Sequence, residues 1–251
     1  MTYRFRNGTA TSVKGDKTVE TMTAGQAAAM IDISAVRTPH SVHEIEEAVA
    51  YARKYRFINV HVLPCWVSTL AELLRGVEGV YVGAPVGFPS GAHKTEAKLL
   101  EAHQLLVDGV QEMDIVMNVG KFKNGEYDYV LNELREIVGM VDHRVLTKVI
   151  IEINALDDTE MLKACDLVMR TGADFVKTGT GWIPGTSNLE RIRLIKEHCG
   201  GAIKVKAAGG IRTREDFLAL RGMGVERMGI NLKSAVEIVE SFPAEPRTLG
   251  A

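Results

Sequence analysis

The 251-residue chain is predicted to be an α/β protein: a single (β/α)8 barrel over 25–251 with a short N-terminal extension, 1–24. Three observations predict it. Short β-rich runs recur about every 30 residues. Most are near-continuously apolar, as parallel strands covered on both faces are. The segments between them carry helical periodicity and capping residues. The competing architecture is a doubly wound sheet, but "IDISAVRTPH" lacks the glycine-rich fingerprint that usually follows its first strand.

The strands are expected near 29–34, 58–64, 80–88, 113–120, 146–155, 173–181, 202–211 and 226–232. Between the first two, "SVHEIEEAVAYARKY" offers Ser41 as N-cap with Glu44 three residues on, a capping box. "KTEAKLLEAHQLLVDG" sets Leu99 and Leu106 on one apolar stripe and stops at Gly109. "DDTEMLKACDLVMRTG" and "TREDFLALRGMG" repeat the pattern of a capped start and a glycine stop.

Composition narrows the function. Hydrophobic residues make up 46% and charged residues 25%, with a formal net charge of −2. These values suit a globular protein, and without a long basic run nothing favours nucleic acid or an anionic membrane. No apolar run approaches the ~18 residues of a membrane span. The polar stretch "MTYRFRNGTATSVKGDKTVETMT" lacks the apolar centre of a signal peptide. Cys65, Cys165 and Cys199 form neither a CxxC nor an even framework, so a cytoplasmic location is expected.

A barrel places its active site at the carboxyl ends of its strands. Polar residues interrupting the apolar runs there are Asp32, His61, Asp114, Asn118, Lys148, Glu152, Asn154, Lys177, Lys204 and Lys206. "ADFVKTGTGW" sets Lys177 inside an apolar strand, just before a glycine-rich turn. A strand-end lysine snorkelling to solvent is the plainer reading, and a buried amine with a lowered pKa is the sharper one. Lys177 and Lys206 lie on neighbouring strands. Alternation puts Lys204 and Lys206 on one face, with Lys206 nearer the catalytic end. Two close ammonium groups disfavour each other's charge, and burial adds to this. A neutral amine so formed attacks a carbonyl to give a Schiff base, whose iminium draws electrons from a C–C bond. Asp114 supplies a carboxylate to accept or relay a proton, or to orient a lysine. Lys148 and Glu152 are candidates for an ion-pair plug. Taken singly, each of these residues serves structure more readily than chemistry. The convergence of Lys177, Lys206 and Asp114 favours chemistry.

The carriers "VGFPSGAHKTEAK", "EMDIVMNVG", "LTKVIIE", "GADFVKTGTG" and "KVKAAGGIRTREDFLAL" resemble deoxyribose-phosphate aldolases, in order and spacing, from about Ile31 to Val239. The resemblance implies a class I aldolase on a (β/α)8 barrel. In it Lys177 forms the Schiff base, Lys206 perturbs it and assists proton transfer, and Asp114 belongs to the proton relay. Asp32 falls at a substrate-binding position, Thr178, Thr180 and Gly181 in the turn after the Schiff-base lysine, and Gly209 and Gly210 in the phosphate-side turn. Lys148, Gly229 and Asn231 complete the expected substrate-binding set. The implied reaction is reversible cleavage of 2-deoxyribose 5-phosphate to glyceraldehyde 3-phosphate and acetaldehyde, with no metal and no organic cofactor. The expected partners are a small aldehyde or sugar-phosphate substrate and further copies of the chain, as a dimer or tetramer, with no nucleic acid and no membrane.

The chain also departs from the pattern. Gly179 stands for a serine in "KTGTG", His61 for a cysteine, and Arg37 for a lysine. "GINLKS" puts Asn231 and Leu232 where Gly-x-Ser-Ser holds phosphate. Two further readings follow: the same chemistry on an unphosphorylated or larger hydroxy-carbonyl compound, and a silent barrel that binds a sugar phosphate. His40 and His43 read as a surface pair without a third metal ligand. His61 and Cys65, either side of Pro64, are weaker pocket candidates. Trp182 either walls the substrate or caps the barrel.

Overall fold

The computed structural model describes residues 22–141, 145–185 and 188–244. Eight parallel strands close in chain order into a barrel. They are β1 (Ile31–Ala35), β2 (Asn59–Val62), β3 (Tyr81–Val86), β4 (Glu112–Val116), β5 (Leu146–Ile150), β6 (Phe175–Lys177), β7 (Lys204–Ala208) and β8 (Arg227–Asn231). Each falls within its expected run, except that β1 extends one residue past it and β4 starts one residue before it. The helices among the described residues are α1 (Ala24–Ala28), α2 (Val42–Tyr55), α3 (Val67–Leu73), α4 (Thr95–Val107), α5 (Val119–Lys123) and α6 (Tyr127–Met140). They continue with α7 (Asp158–Met169), α8 (Leu189–Cys199), α9 (Arg214–Gly222) and α10 (Leu232–Glu240). The expected N-terminal extension lies, up to residue 21, outside the described residues.

Strand alternation sorts the side chains. Ile31 and Ile33, Val60 and Val62, Met113 and Ile115, Val205 and Ala207, and Met228 and Ile230 are buried in one apolar core with the helices. Each such aliphatic side chain contributes roughly 1.5–3 kcal/mol on full burial. The alternate positions face the barrel interior, where charged residues replace the usual aliphatic filling.

Local sequence accounts for the helix starts. Ser41 and Glu44 form a reciprocal capping box at α2, as do Asp157 and Glu160 at α7 and Thr213 and Asp216 at α9. The Ser41 hydroxyl and backbone N–H both bond Glu44 and hold its carboxyl down at about 2. At α4 the buried stripe is Lys98, Ala102 and Leu105, and Leu99 and Leu106 are only half-buried. The stripe turns toward Lys98 because its ammonium donates to Glu133 at 2.6 Å and to the Val116 carbonyl at 2.9 Å, tying α4 to α6 and β4.

Candidate active site

Strand register assembles the interior charges. Asp114 stands opposite Lys148 across β4 and β5, and Lys177 opposite Lys206 across β6 and β7. Asp114 Oδ2 accepts from Lys177 Nζ at 2.6 Å and from Lys206 Nζ at 2.8 Å. Asp114 Oδ1 accepts from Lys148 Nζ at 3.1 Å and lies 3.1 Å from His61 Nε2. Lys206 also reaches Asp32 at 2.5 Å. Below this, Arg227 donates to Asp32 at 2.5 Å and to Glu112 at 2.6 Å, and Lys148 donates to Glu112 at 2.6 Å.

The network joins four cationic side chains (Lys148, Lys177, Lys206 and Arg227) to three carboxylates (Asp32, Glu112 and Asp114). One positive charge is in excess, and Lys177 is the group that relieves it. Burial, the larger effect, and the Lys206 and Lys148 ammonium groups press its pKa down against the pull of Asp114, to about 8. That raises the neutral fraction at pH 7 from roughly one in three thousand to about one in ten. Burial penalises the Asp114 charge, but His61 and the three lysines outweigh it and hold the carboxyl well below its usual range. Asp32 is likewise lowered, against its burial, by Lys206, Lys148 and Arg227. Burial works against the Lys148 charge, and Asp114, Asp32 and Glu112 overcome it and raise that pKa.

Above the network opens a cavity of about 470 Å³. Asp32, His61, Lys177 and Lys206 border it from within the barrel, and Arg37, Phe88, Thr180, Gly181, Gly209, Gly210, Gly229, Asn231 and Leu232 from the loops and strand ends. Lys177 is the amine turned toward this space: its side chain is 11% exposed, against 2% for Lys206 and 0% for Lys148. Gly209 and Gly210 both adopt positive φ, +97° and +78°, which turns the backbone after β7 along the cavity wall.

Most of the residues expected at the site meet there. Asp114 lies fully buried beneath the cavity, touching both lysines. Lys148 and Thr178, expected on the substrate, do not border the cavity. Lys148 is wholly enclosed by its carboxylates. The Thr178 hydroxyl donates to the Ala208 carbonyl at 3.1 Å and accepts from the Ala208 N–H at 2.9 Å, bridging β6 and β7. The expected Lys148–Glu152 plug does not form. Glu152 takes a left-handed backbone (φ 56°) after β5 and accepts from the Thr180 N–H at 3.2 Å and hydroxyl at 2.5 Å.

The other candidates divide as follows. Asn118 caps α5 by accepting from Lys121 N–H at 3.1 Å. Asn154 and Lys204 are exposed. Asn231 is occupied locally, its Oδ1 accepting from Ser234 N–H at 3.0 Å and its Nδ2 donating to Ser234 Oγ at 3.1 Å. His40, expected as a surface residue, borders the cavity together with His61, whereas Cys65 is exposed and does not. Trp182 does not border the cavity itself but packs against two residues that do, edge-on to Phe88 at 5.6 Å and under the Arg37 guanidinium at 5.7 Å. Sequence reasoning missed Glu112 and Arg227. Their signal was alternation: Glu112 shares a face with Asp114, and Arg227 with Gly229 and Asn231.

No protein-family model matches the chain. It is 43% identical over 219 residues to a deoxyribose-phosphate aldolase of Rhizobium meliloti (strain 1021), covering 87% of this chain and 88% of the relative. Among solved structures, an aldolase designated QR15 superposes with a TM-score of 0.80 at 38% identity, covering 86% of this chain and 95% of that one. The tetrameric deoxyribose phosphate aldolase of Aeropyrum pernix gives a TM-score of 0.80 at 28% identity, covering 87% and 92%.

Proposed function

Because the chain belongs to the deoxyribose-phosphate aldolase family of carbon–carbon lyases, we propose that it cleaves 2-deoxyribose 5-phosphate reversibly to glyceraldehyde 3-phosphate and acetaldehyde through a Schiff base on Lys177. The observation that carries this reading is the sharing of Asp114 Oδ2 by Lys177 and Lys206 at the floor of an open cavity.

The neutral Lys177 amine adds to the aldehyde carbon of the open-chain sugar, and loss of water leaves an iminium. The bond between C2 and C3 then breaks. Its electron pair flows into the iminium to give an enamine, the C3 hydroxyl loses its proton, and glyceraldehyde 3-phosphate departs. Proton return to the enamine carbon and hydrolysis release acetaldehyde and the free amine. Asp114 and Lys206, in contact with each other and with Lys177, carry the protons between steps. Asp32, Thr180, Gly181, Gly209, Gly210, Gly229 and Asn231 line the space for the rest of the sugar.

A second reading keeps this chemistry on an unphosphorylated or larger hydroxy-carbonyl substrate. Asn231, held in the cap of α10, and the apolar Leu232 favour it at the phosphate end. The tetrameric solved relative supports a homo-oligomer. No helix among the described residues is long and apolar enough to cross a membrane, and the unpaired cysteines support a cytoplasmic setting.

The test is acetaldehyde release from 2-deoxyribose 5-phosphate by the wild type and by Lys177→Ala. Release by the wild type alone supports the reading. Release by both, at equal rates, overturns it.

A further inference from the structure

His61 stands where relatives are expected to have cysteine, and its surroundings are built for an imidazole. Gly83 lies opposite it in the β2–β3 register. A Cβ at Gly83 would overlap both the imidazole and the Asn59 amide, so the ring occupies a slot that only glycine leaves open. Asn59, two residues earlier on the same face, contacts Nδ1 with its side-chain amide. Nε2 lies 3.1 Å from Asp114 Oδ1, not yet aligned for a hydrogen bond.

The donors and acceptors decide the tautomer. As oriented, Asn59 presents Oδ1 to the ring, and its own Nδ2 and the ring's Nε2 are both buried without a hydrogen-bond partner. Both ring nitrogens would then face acceptors, which requires an imidazolium. The surroundings oppose one, since Lys148, Lys177 and Lys206 already crowd Asp114 with positive charge. Burial, against the pull of Asp114, also presses the His61 pKa down to about 4. A half-turn of the Asn59 amide resolves both problems. Nδ2 then donates to Nδ1, and the neutral ring carries its one N–H on Nε2, the nitrogen beside Asp114.

We propose, resting on the Schiff-base reading above, that His61 is a positioning residue for Asp114. Asn59 fixes its Nε2–H tautomer in the slot over Gly83, and that N–H caps Asp114 Oδ1 together with Lys148. Proton exchange with Lys177 and Lys206 is thereby confined to Oδ2. His61 acts through the carboxylate and takes no proton of its own.

The test uses the full chain and three variants, His61→Leu, His61→Gln and His61→Asn. A glutamine amide places a donor near the position of Nε2, and an asparagine amide near that of Nδ1. The readouts are borohydride trapping with acetaldehyde, and enzyme-catalysed exchange of the acetaldehyde methyl protons for deuterium. Exchange isolates proton transfer from acceptor binding. The wild type and all folded variants should be trapped on Lys177. Exchange should fall about ten- to a hundredfold in His61→Leu and His61→Asn, the loss expected for one hydrogen bond to a charged group. It should recover in His61→Gln, with KM little changed throughout. Nitrogen-15 shifts of the ring should show Nε2 protonated and Nδ1 bare.

Unchanged exchange in His61→Leu overturns the proposal, as does an Nδ1–H or doubly protonated ring. So does a loss carried by KM, which would make His61 a substrate contact. If His61→Leu does not fold, the glutamine–asparagine contrast decides, and equal loss in both rejects the role. A wild type that is not trapped overturns the Schiff-base reading, and this proposal with it. Trapping without the histidine effect overturns the proposal alone.

Discussion

Lys177 and Lys206 face each other across β6 and β7 and share one carboxylate oxygen, Asp114 Oδ2, at 2.6 and 2.8 Å. The arrangement sets the Lys206 side chain beside an amine that must shed its proton. Lys206→Leu removes that neighbour and leaves Lys177 buried beside Asp114. Burial is the larger cause of the low Lys177 pKa, so only part of the depression is lost. The acidic limb of kcat/KM should move to higher pH by about half to one unit. An unchanged limb would show that the two amines are not coupled.

Lys177 should also cost stability. Its folded pKa, about 8, lies below the unfolded value of 10.5. The folded protein therefore carries a penalty for the protonated amine that is fully present below pH 8 and is relieved as pH rises toward 10.5. Lys177→Met, close in volume, should raise the unfolding free energy at pH 7 by roughly 1–3 kcal/mol. The gain should shrink above pH 8. Denaturant titrations at pH 7 and pH 10 measure it, and equal stabilities at pH 7 would place the amine in a less costly environment.

Arg227 lies 195 residues from Asp32 and holds both Asp32 and Glu112. Arg227→Met leaves two buried carboxylates short of a partner and should cost about 3–5 kcal/mol at pH 7. Asp32 has a lowered folded pKa, so its contribution is present above the unfolded value of 3.8 and is lost as pH falls below that. The gap between wild type and variant should therefore narrow toward pH 3. A gap independent of pH would assign the loss to packing alone.

Arg227 also marks where the sequence stops being legible. The strands could be read because their outward rows are apolar, and the helices because Ser41, Asp157 and Thr213 announce their starts. Lys177, Lys206 and Asp114 stood out because each breaks an apolar run near a strand end. Arg227 and Glu112 open their strands, where a charge looks like ordinary solvation, and closure of β8 against β1 leaves no local trace. Lys148 and Glu152 read as an ion-pair plug because barrel interiors often hold Lys–Glu pairs. The left-handed turn at Glu152 sends its carboxylate to Thr180 on the next strand's loop instead, and residue types alone do not encode that turn. Gly179 fits the same turn: a Cβ there would lie 2.9 Å from Glu152 Oε1.

At the phosphate end, Asn231 spends both side-chain atoms on Ser234, Leu232 offers no donor, and Lys233 is exposed. Backbone N–H groups around Gly209 and Gly210, with Arg37 and Arg212 on the cavity wall, remain for an anion. Losing a side-chain hydrogen bond to a charged group costs about 1.5–3 kcal/mol. The preference in kcat/KM for deoxyribose 5-phosphate over deoxyribose should accordingly stay below about a thousandfold, or some 4 kcal/mol. A larger preference would mean that the backbone and the two arginines suffice.

The central claim is that Lys177, and no other lysine, is the nucleophile. Borohydride reduction in the presence of acetaldehyde converts the Schiff base to a stable ethyl-lysine, and peptide mass mapping locates it. Lys177 alone should be labelled near neutral pH, in step with loss of activity, and labelling should rise with pH through about 8. Label on Lys206 or Lys148, or no label on an active enzyme, would contradict the account.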